Sequence, residues 1–156
     1  MTFRSGLEDK VVAGAREIGL PFVYEGITLP FEKPAKYKPD LLLGNGIVVE
    51  IKGYFESSDR AKHKLIHAKY PEIDIRFLFS KPSNLIGKKS RTTYADWCRQ
   101  NGIPYEACDT RKPTLPHRWV TEPINLASIE ALLGCPEIRL TDEARELLEG
   151  ARRERH

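Results

Sequence analysis

Pro39-Asp40-Leu41-Leu42-Leu43-Gly44-Asn45-Gly46-Ile47-Val48-Val49-Glu50-Ile51-Lys52 sets two apolar runs, each charged at its outer end, around a Gly-Asn-Gly turn signal. The pattern predicts a β-hairpin. Strand side chains alternate faces, so Glu50 and Lys52 share one face while Val49 and Ile51 fill the other. The place of Asp40 depends on the turn. A two-residue Asn45-Gly46 turn would oppose Leu41 to Glu50 and send Asp40 to the far face. A three-residue Gly44-Asn45-Gly46 loop, with Gly46 left-handed as a bulge, sets Asp40 directly across from Glu50; this register is the one expected. Facing carboxylates repel and lose solvation, which is costly in an apolar sheet unless a cation lies between them. Lys52 can be that cation in a structural ion pair, as on any solvated strand face. A divalent ion would instead make the stretch a metal-dependent nuclease site, and the residues alone leave both readings open.

The chain has 156 residues, of which 40% are hydrophobic, enough for one domain with a real core. No apolar run approaches membrane-spanning length and the first residues lack the apolar core of a secretory signal, so a cytoplasmic protein with no membrane partner is expected. Cys98, Cys108 and Cys135 lack the close paired spacing of zinc or redox motifs and read as reduced thiols. The net charge of +3 says little by itself, but residues 57–91 carry nine Lys or Arg against three acids. A positive stretch directly after the hairpin suits a polyanion, because phosphate contacts supply most non-specific affinity for nucleic acid. A solvated helix and loop would show the same charges.

Around the hairpin the periodicities predict an α/β scaffold. Ser5-Gly6-Leu7-Glu8 matches a capping box that opens a helix from about Gly6 to Ile18, with Leu7, Val11, Ala15 and Ile18 as its apolar stripe. Phe22 to Thr28 alternates as a strand, and Pro30, Pro34 and Pro39 mark residues 29–39 as a stiff, extended, basic connector. Ser57 or Ser58 is placed to cap a second helix ending near Tyr70, which would display Arg60, Lys62, His63, Lys64, His67 and Lys69 and bury little beyond Leu65, Ile66 and Ala68. Ile73 to Phe79 reads as a buried strand. Thr92 or Thr93 caps a short helix with Tyr94, Trp97 and Cys98, closed by Asn101-Gly102, and Ile103 to Ala107 adds a strand. Helices near Leu126 to Leu133 and Asp142 to Leu148 precede a basic tail. His63 and His67 stand four apart, but without a third ligand zinc is disfavoured against phosphate contact or plain exposure. Trp97, Trp119 and most tyrosines are expected in the core.

Several blocks carry a family resemblance: Phe3-Arg4-Ser5-Gly6-Leu7-Glu8-Asp9-Lys10, Tyr37-Lys38-Pro39-Asp40, Asn45 to Gly53, Asp74-Ile75-Arg76, Thr93-Tyr94, Trp97-Cys98, Asn101-Gly102-Ile103 and Trp119-Val120-Thr121-Glu122-Pro123. In this order they closely resemble bacteriophage endonuclease I, the Holliday-junction resolvase of T-seven-type podoviruses, within the PD-(D/E)xK nuclease superfamily. The resemblance fades from about Leu126, which divides the chain into an endonuclease domain over 1–125, with 29–39 as an inter-protomer connector, and a C-terminal helical extension and basic tail over 126–156.

The resemblance implies a PD-(D/E)xK-like mixed sheet flanked by helices and a strand-exchanged homodimer, in which Glu8 of one chain completes the site of the other. It implies that Glu8, Asp40, Glu50 and Lys52 are catalytic. Asp40, Glu50 and the Ile51 backbone carbonyl would hold Mg2+, for which Mn2+ can substitute, and Glu8 would help hold a second ion. Without the resemblance Glu8 would read as a helix cap. The substrate implied is branched double-stranded DNA, contacted by Arg4, Lys36, Lys38, Arg60, Lys62, His63, Lys64, His67, Lys88 and Lys89. Two alternatives stand beside junction resolution: another PD-(D/E)xK nuclease acting on nicked, mismatched or linear duplex, and a non-catalytic structure-specific DNA-binding module.

Overall fold

The computed structural model describes residues 6–32, 35–109 and 111–154. The hairpin at its centre has the expected register. Strands β4 (Leu41–Leu43) and β5 (Ile47–Lys52) pair antiparallel with Leu41 opposite Val49 and Leu42 opposite Val48, so Asp40 continues the ladder opposite Glu50. Gly46 turns the chain at φ +92°, a left-handed conformation that glycine adopts without a Cβ penalty, and its N–H donates to the Leu43 carbonyl at 3.0 Å.

The hairpin is the middle of a five-stranded mixed sheet of order β1-β4-β5-β6-β7. Strand β1 (Phe22–Tyr24) is antiparallel to β4, while β6 (Asp74–Phe79) and β7 (Tyr105–Ala107) run parallel to β5. Helix α1 (Gly6–Ile18) has the expected bounds and lays Val11, Val12 and Ala15 against Leu41, Leu43, Ile47, Val49 and Ile51, one face of the hairpin. Leu42 and Val48, on the other face, join Ile66 of helix α2 (Ser57–Lys69). Period-two alternation on strands buried on both sides thus produces two cores from one apolar run. A third cluster packs Phe55, Phe77 and Phe79 against Tyr94 and Trp97 of helix α3 (Tyr94–Gln100), which Thr93 caps by accepting the Asp96 N–H at 3.0 Å.

The connector departs from expectation. Residues 29–39 fold back: β2 (Ile27–Glu32) pairs antiparallel with β3 (Ala35–Tyr37), Leu29 facing Tyr37 and Pro30 facing Lys36. Pro30 is tolerated because β8 (Arg139–Leu140) pairs with β2 only at Ile27 and Thr28, so the outer edge of β2 makes no described ladder at the proline. The single strand expected over Phe22 to Thr28 is also broken, with Glu25 at φ +50° and Gly26 separating β1 from β2. Helix α2 is rotated from its expected face. His63 and Ile66 are fully buried with Tyr70 at its end, whereas Leu65 is 46% exposed; positions 63, 66 and 70 follow the helical repeat, and 65, 66 and 68 do not. Its N-cap is Glu56, one residue before Ser57.

The helices at the end belong to the core. After the short α4 (His117–Thr121), α5 (Leu126–Gly134) and α6 (Asp142–Glu154) bring Ile129, Leu132, Ala144 and Leu148 against Val23, Leu42 and Val48. Ser128 Oγ donates to the Gly46 carbonyl at 2.8 Å and accepts the Asp74 N–H at 3.0 Å, so α5 pins the hairpin loop to β6. Trp97, Trp119, Tyr37, Tyr70 and Tyr94 are buried as expected; Tyr54 stands out in solvent. No described helix is long and apolar enough to cross a membrane.

Candidate active site

Asp40 sits at the start of β4 with no solvent exposure, and its carboxylate Oδ2 accepts the Ile51 N–H at 2.7 Å. A strand residue sends its N–H and C=O out along the same edge, so the Ile51 carbonyl also leaves β5 on the Asp40 side. Glu50 is 1% exposed and accepts from the Tyr37 hydroxyl at 3.2 Å. Lys52, two residues on and on the same face, brings Nζ to 3.5 Å from Glu50 Oε2 and 3.2 Å from Asp59 Oδ1 at the start of α2. Burial opposes its charge, but Glu50 and Asp59 outweigh burial and hold the ammonium above the ordinary lysine value.

Glu8 enters from α1. Although it lies in the first turn, where a carboxylate is stabilised by the helix dipole, the side chain is 4% exposed and accepts the Tyr24 hydroxyl at 2.5 Å. Burial first, and the adjacent Glu8 carboxylate second, push that hydroxyl well above the usual tyrosine range. Ser5, the other half of the expected capping box, lies outside the described residues. Glu8, Glu25 and Asp40 each offer a carboxylate oxygen, and these oxygens lie within 4.8 Å of one another. Glu25 was missed by sequence reasoning. Its backbone N–H donates to the Asp40 carbonyl at 2.8 Å, and the left-handed turn at the Glu25-Gly26 pair brings its side chain to Asp40. An acidic residue followed by glycine inside an alternating run was the available signal.

Three carboxylates so close together, with Glu8 and Asp40 buried and Glu25 half-buried, repel, and hard oxygen donors of this kind fit Mg2+ or Mn2+. All three come from the one chain described.

The expected DNA contacts divide. Lys36, Lys38, Lys64, Lys88 and Lys89 are exposed, while Arg4 lies outside the described residues. Arg60 is half-buried and donates to the Phe55 carbonyl at 2.6 Å, and Lys62 Nζ lies 5.3 Å from the Tyr37 ring centroid. His63 is a correction: with no exposed surface it cannot touch a phosphate, and it packs edge-on against Tyr37 and Phe77 at 4.9 and 4.6 Å between ring centroids. Among the described residues neither ring nitrogen has a hydrogen-bond partner. Burial, reinforced by His67, Lys62 and Lys52, pushes His63 down to about 2, and burial pushes the half-buried His67 down to about 4.

Comparison with known proteins gives the lineage. The family model described as phage endonuclease I matches residues 1–137, past the start of α5. The chain is 44% identical over 124 residues to Endonuclease I of Escherichia phage T7, covering 78% of this chain and 80% of that protein. It is 46% identical over 104 residues to Endodeoxyribonuclease 1 of Enterobacteria phage T3, covering 65% of this chain and 68% of that protein. A match of this extent places the chain in the phage endonuclease I family.

Proposed function

We propose that this chain is a Mg2+-dependent endodeoxyribonuclease that resolves four-way and other branched DNA junctions by hydrolysing phosphodiester bonds in paired cuts. The observation that carries the reading is the meeting of the buried Glu8 and Asp40 carboxylates, with buried Glu50 opposite Asp40 in the hairpin and Lys52 held at Glu50, in a chain whose relatives are named endonucleases. In this reading the mixed sheet and its acidic hairpin form a PD-(D/E)xK nuclease core. Residues 1–125 form the catalytic portion, and 126–156 are a helical addition that buttresses the hairpin loop.

Asp40 and Glu50, with the Ile51 carbonyl, would hold one divalent cation, and Glu8 beside Asp40 and Glu25 a second. Bound there, Mg2+ or Mn2+ supplies Lewis-acid polarisation of the scissile phosphate, activation of water and neutralisation of the leaving oxygen. Lys52 directs its ammonium at the attacked phosphate, orienting the nucleophile and offsetting charge that develops in the transition state. Tyr37 orients Glu50 and Tyr24 orients Glu8, each by donating its hydroxyl hydrogen. Lys36, Lys38, Lys64, Lys88 and Lys89 engage the DNA backbone electrostatically. The products carry 5′-phosphate and 3′-hydroxyl ends. The protein works in the cytoplasm of the infected cell as a homodimer, whose two sites match the two opposed cuts a junction needs. In a strand-exchanged dimer, the Glu8–Asp40 meeting made here within one chain would be made between chains, with the β2–β3 hairpin opened into the crossing segment.

The test compares wild type with Glu50→Ala and Lys52→Ala on a four-way junction and a matched linear duplex. All three proteins bind the junction, only wild type cleaves it with Mg2+, and wild type prefers the junction to the duplex. Equal cutting of linear DNA would instead mark a nuclease of other specificity, and no cutting of any DNA a binding module. Undiminished cleavage by Glu50→Ala would remove the mechanism.

A further inference from the structure

We infer that Asp59 is a positioning residue that holds the Lys52 ammonium at the site while the neighbouring carboxylates are engaged by cations. The inference rests on the role given to Lys52 above. Lys52 ends a flexible four-carbon stem, whose free rotamers scatter the charge unless something anchors it. Two anions do so, Asp59 Oδ1 at 3.2 Å and Glu50 Oε2 at 3.5 Å from Nζ. They are not equivalent. Glu50 belongs to the cation site, and a divalent ion drawn to its carboxylate cancels its attraction for Lys52 and adds a like charge beside the ammonium. Asp59, on α2, is not among the carboxylates assigned to the cations, so its contact with Lys52 does not compete with them.

Asp59 is itself fixed. Its Oδ2 accepts the Glu56 N–H at 3.2 Å, which seats the carboxylate in the first turn of α2, where the helix dipole favours an anion. Lys62 Nζ approaches Oδ1 at 4.0 Å from one turn further on and is the other cation facing this carboxylate among the described residues. The carboxylate thereby joins α2 to the end of β5, and the place of the ammonium is set by the docking of the helix.

Asp59→Asn separates the two duties. Its one carbonyl oxygen can still accept the Glu56 N–H, and the amide then turns its NH2 toward Lys52, so the helix keeps its cap and Lys52 loses its hold. Four quantities are measured: single-turnover cleavage of a junction with Mg2+, junction binding in EDTA, melting temperature, and amine labelling of Lys52 in metal-free protein followed by mass spectrometry. Cleavage falls by about tenfold or more, the range typical when a supporting residue of a metal site is lost. Binding and melting temperature stay at wild-type values, and Lys52 labels severalfold faster. Wild-type cleavage and labelling by Asp59→Asn overturn the inference, as does a loss of cleavage matched by a loss of binding or of melting temperature. Failure of wild type to cut any DNA sinks the nuclease reading instead, and the labelling still decides the Lys52–Asp59 contact.

Discussion

His63 makes the protein sensitive to acid in a way that one substitution should remove. The imidazole is fully buried and held neutral, its pKa pushed by burial, then by His67, Lys62 and Lys52, from an ordinary 6.5 to about 2, while His67 falls to about 4. Both folded values lie below the unfolded one, so from pH 6.5 down to about 4 the unfolded chain takes up two protons that the native state refuses. Stability therefore falls as pH falls, by about 1.4 kcal/mol per pH unit for each histidine. Because the unfolded histidine is half protonated at pH 6.5, the share of His63 between pH 6.5 and 4.5 is roughly 2 kcal/mol and that of the pair roughly 4, against a total of about 5–15 kcal/mol for a typical domain. His63→Leu keeps a similar volume, removes the titration and removes two ring nitrogens that lack described partners. Urea unfolding followed by Trp97 and Trp119 fluorescence at a series of pH values gives the free energies. The acidic cluster is common to both proteins, so its titration cancels in their difference. The variant should lose stability with acidification less steeply than wild type by about 1.4 kcal/mol per pH unit, one proton's worth. Equal slopes would refute the reasoning, and so would a wild-type stability that is flat between pH 6.5 and 4.5.

Two further outcomes are expected. Gly46→Ala forces a side chain into φ +92° with its Cβ 2.9 Å from Ile129 Cγ1 and 3.0 Å from the Asn125 carbonyl, so it destabilises the fold by about 1–3 kcal/mol in denaturant titration and weakens cleavage by disturbing the Asp40–Glu50 register. Mixing Glu8→Ala with Glu50→Ala chains tests strand exchange: a dimer that exchanges its first segment regenerates one intact site per mixed dimer and nicks junctions, whereas sites built within each chain stay dead.

The hairpin was legible because its information is local. A Gly-Asn-Gly loop specifies the count between the strands, and strand parity then puts Asp40 opposite Glu50. Glu25 was not legible, since its approach to Asp40 follows from a left-handed turn between β1 and β2 that an alternating Phe22 to Thr28 pattern conceals. His63 was hidden for a different reason. Counted as polar, it masked the helical stripe that runs through Ile66 to Tyr70, and its burial depends on Tyr37 and Phe77, which lie far from it in sequence. Pro30 did not forbid the β2–β3 hairpin, because the outer edge of β2 makes no described ladder at that residue.

Crystals soaked in Mn2+ and measured at the manganese absorption edge locate the cation by its anomalous scattering. The predicted result is a peak bonded to the Asp40 carboxylate together with Glu50 or Glu8, at about 2.0–2.3 Å as hard oxygen ligands require, and absent from Asp40→Asn crystals. A peak bound away from Asp40, or one that survives the loss of its carboxylate, would contradict the assignment of this acidic cluster as the catalytic centre.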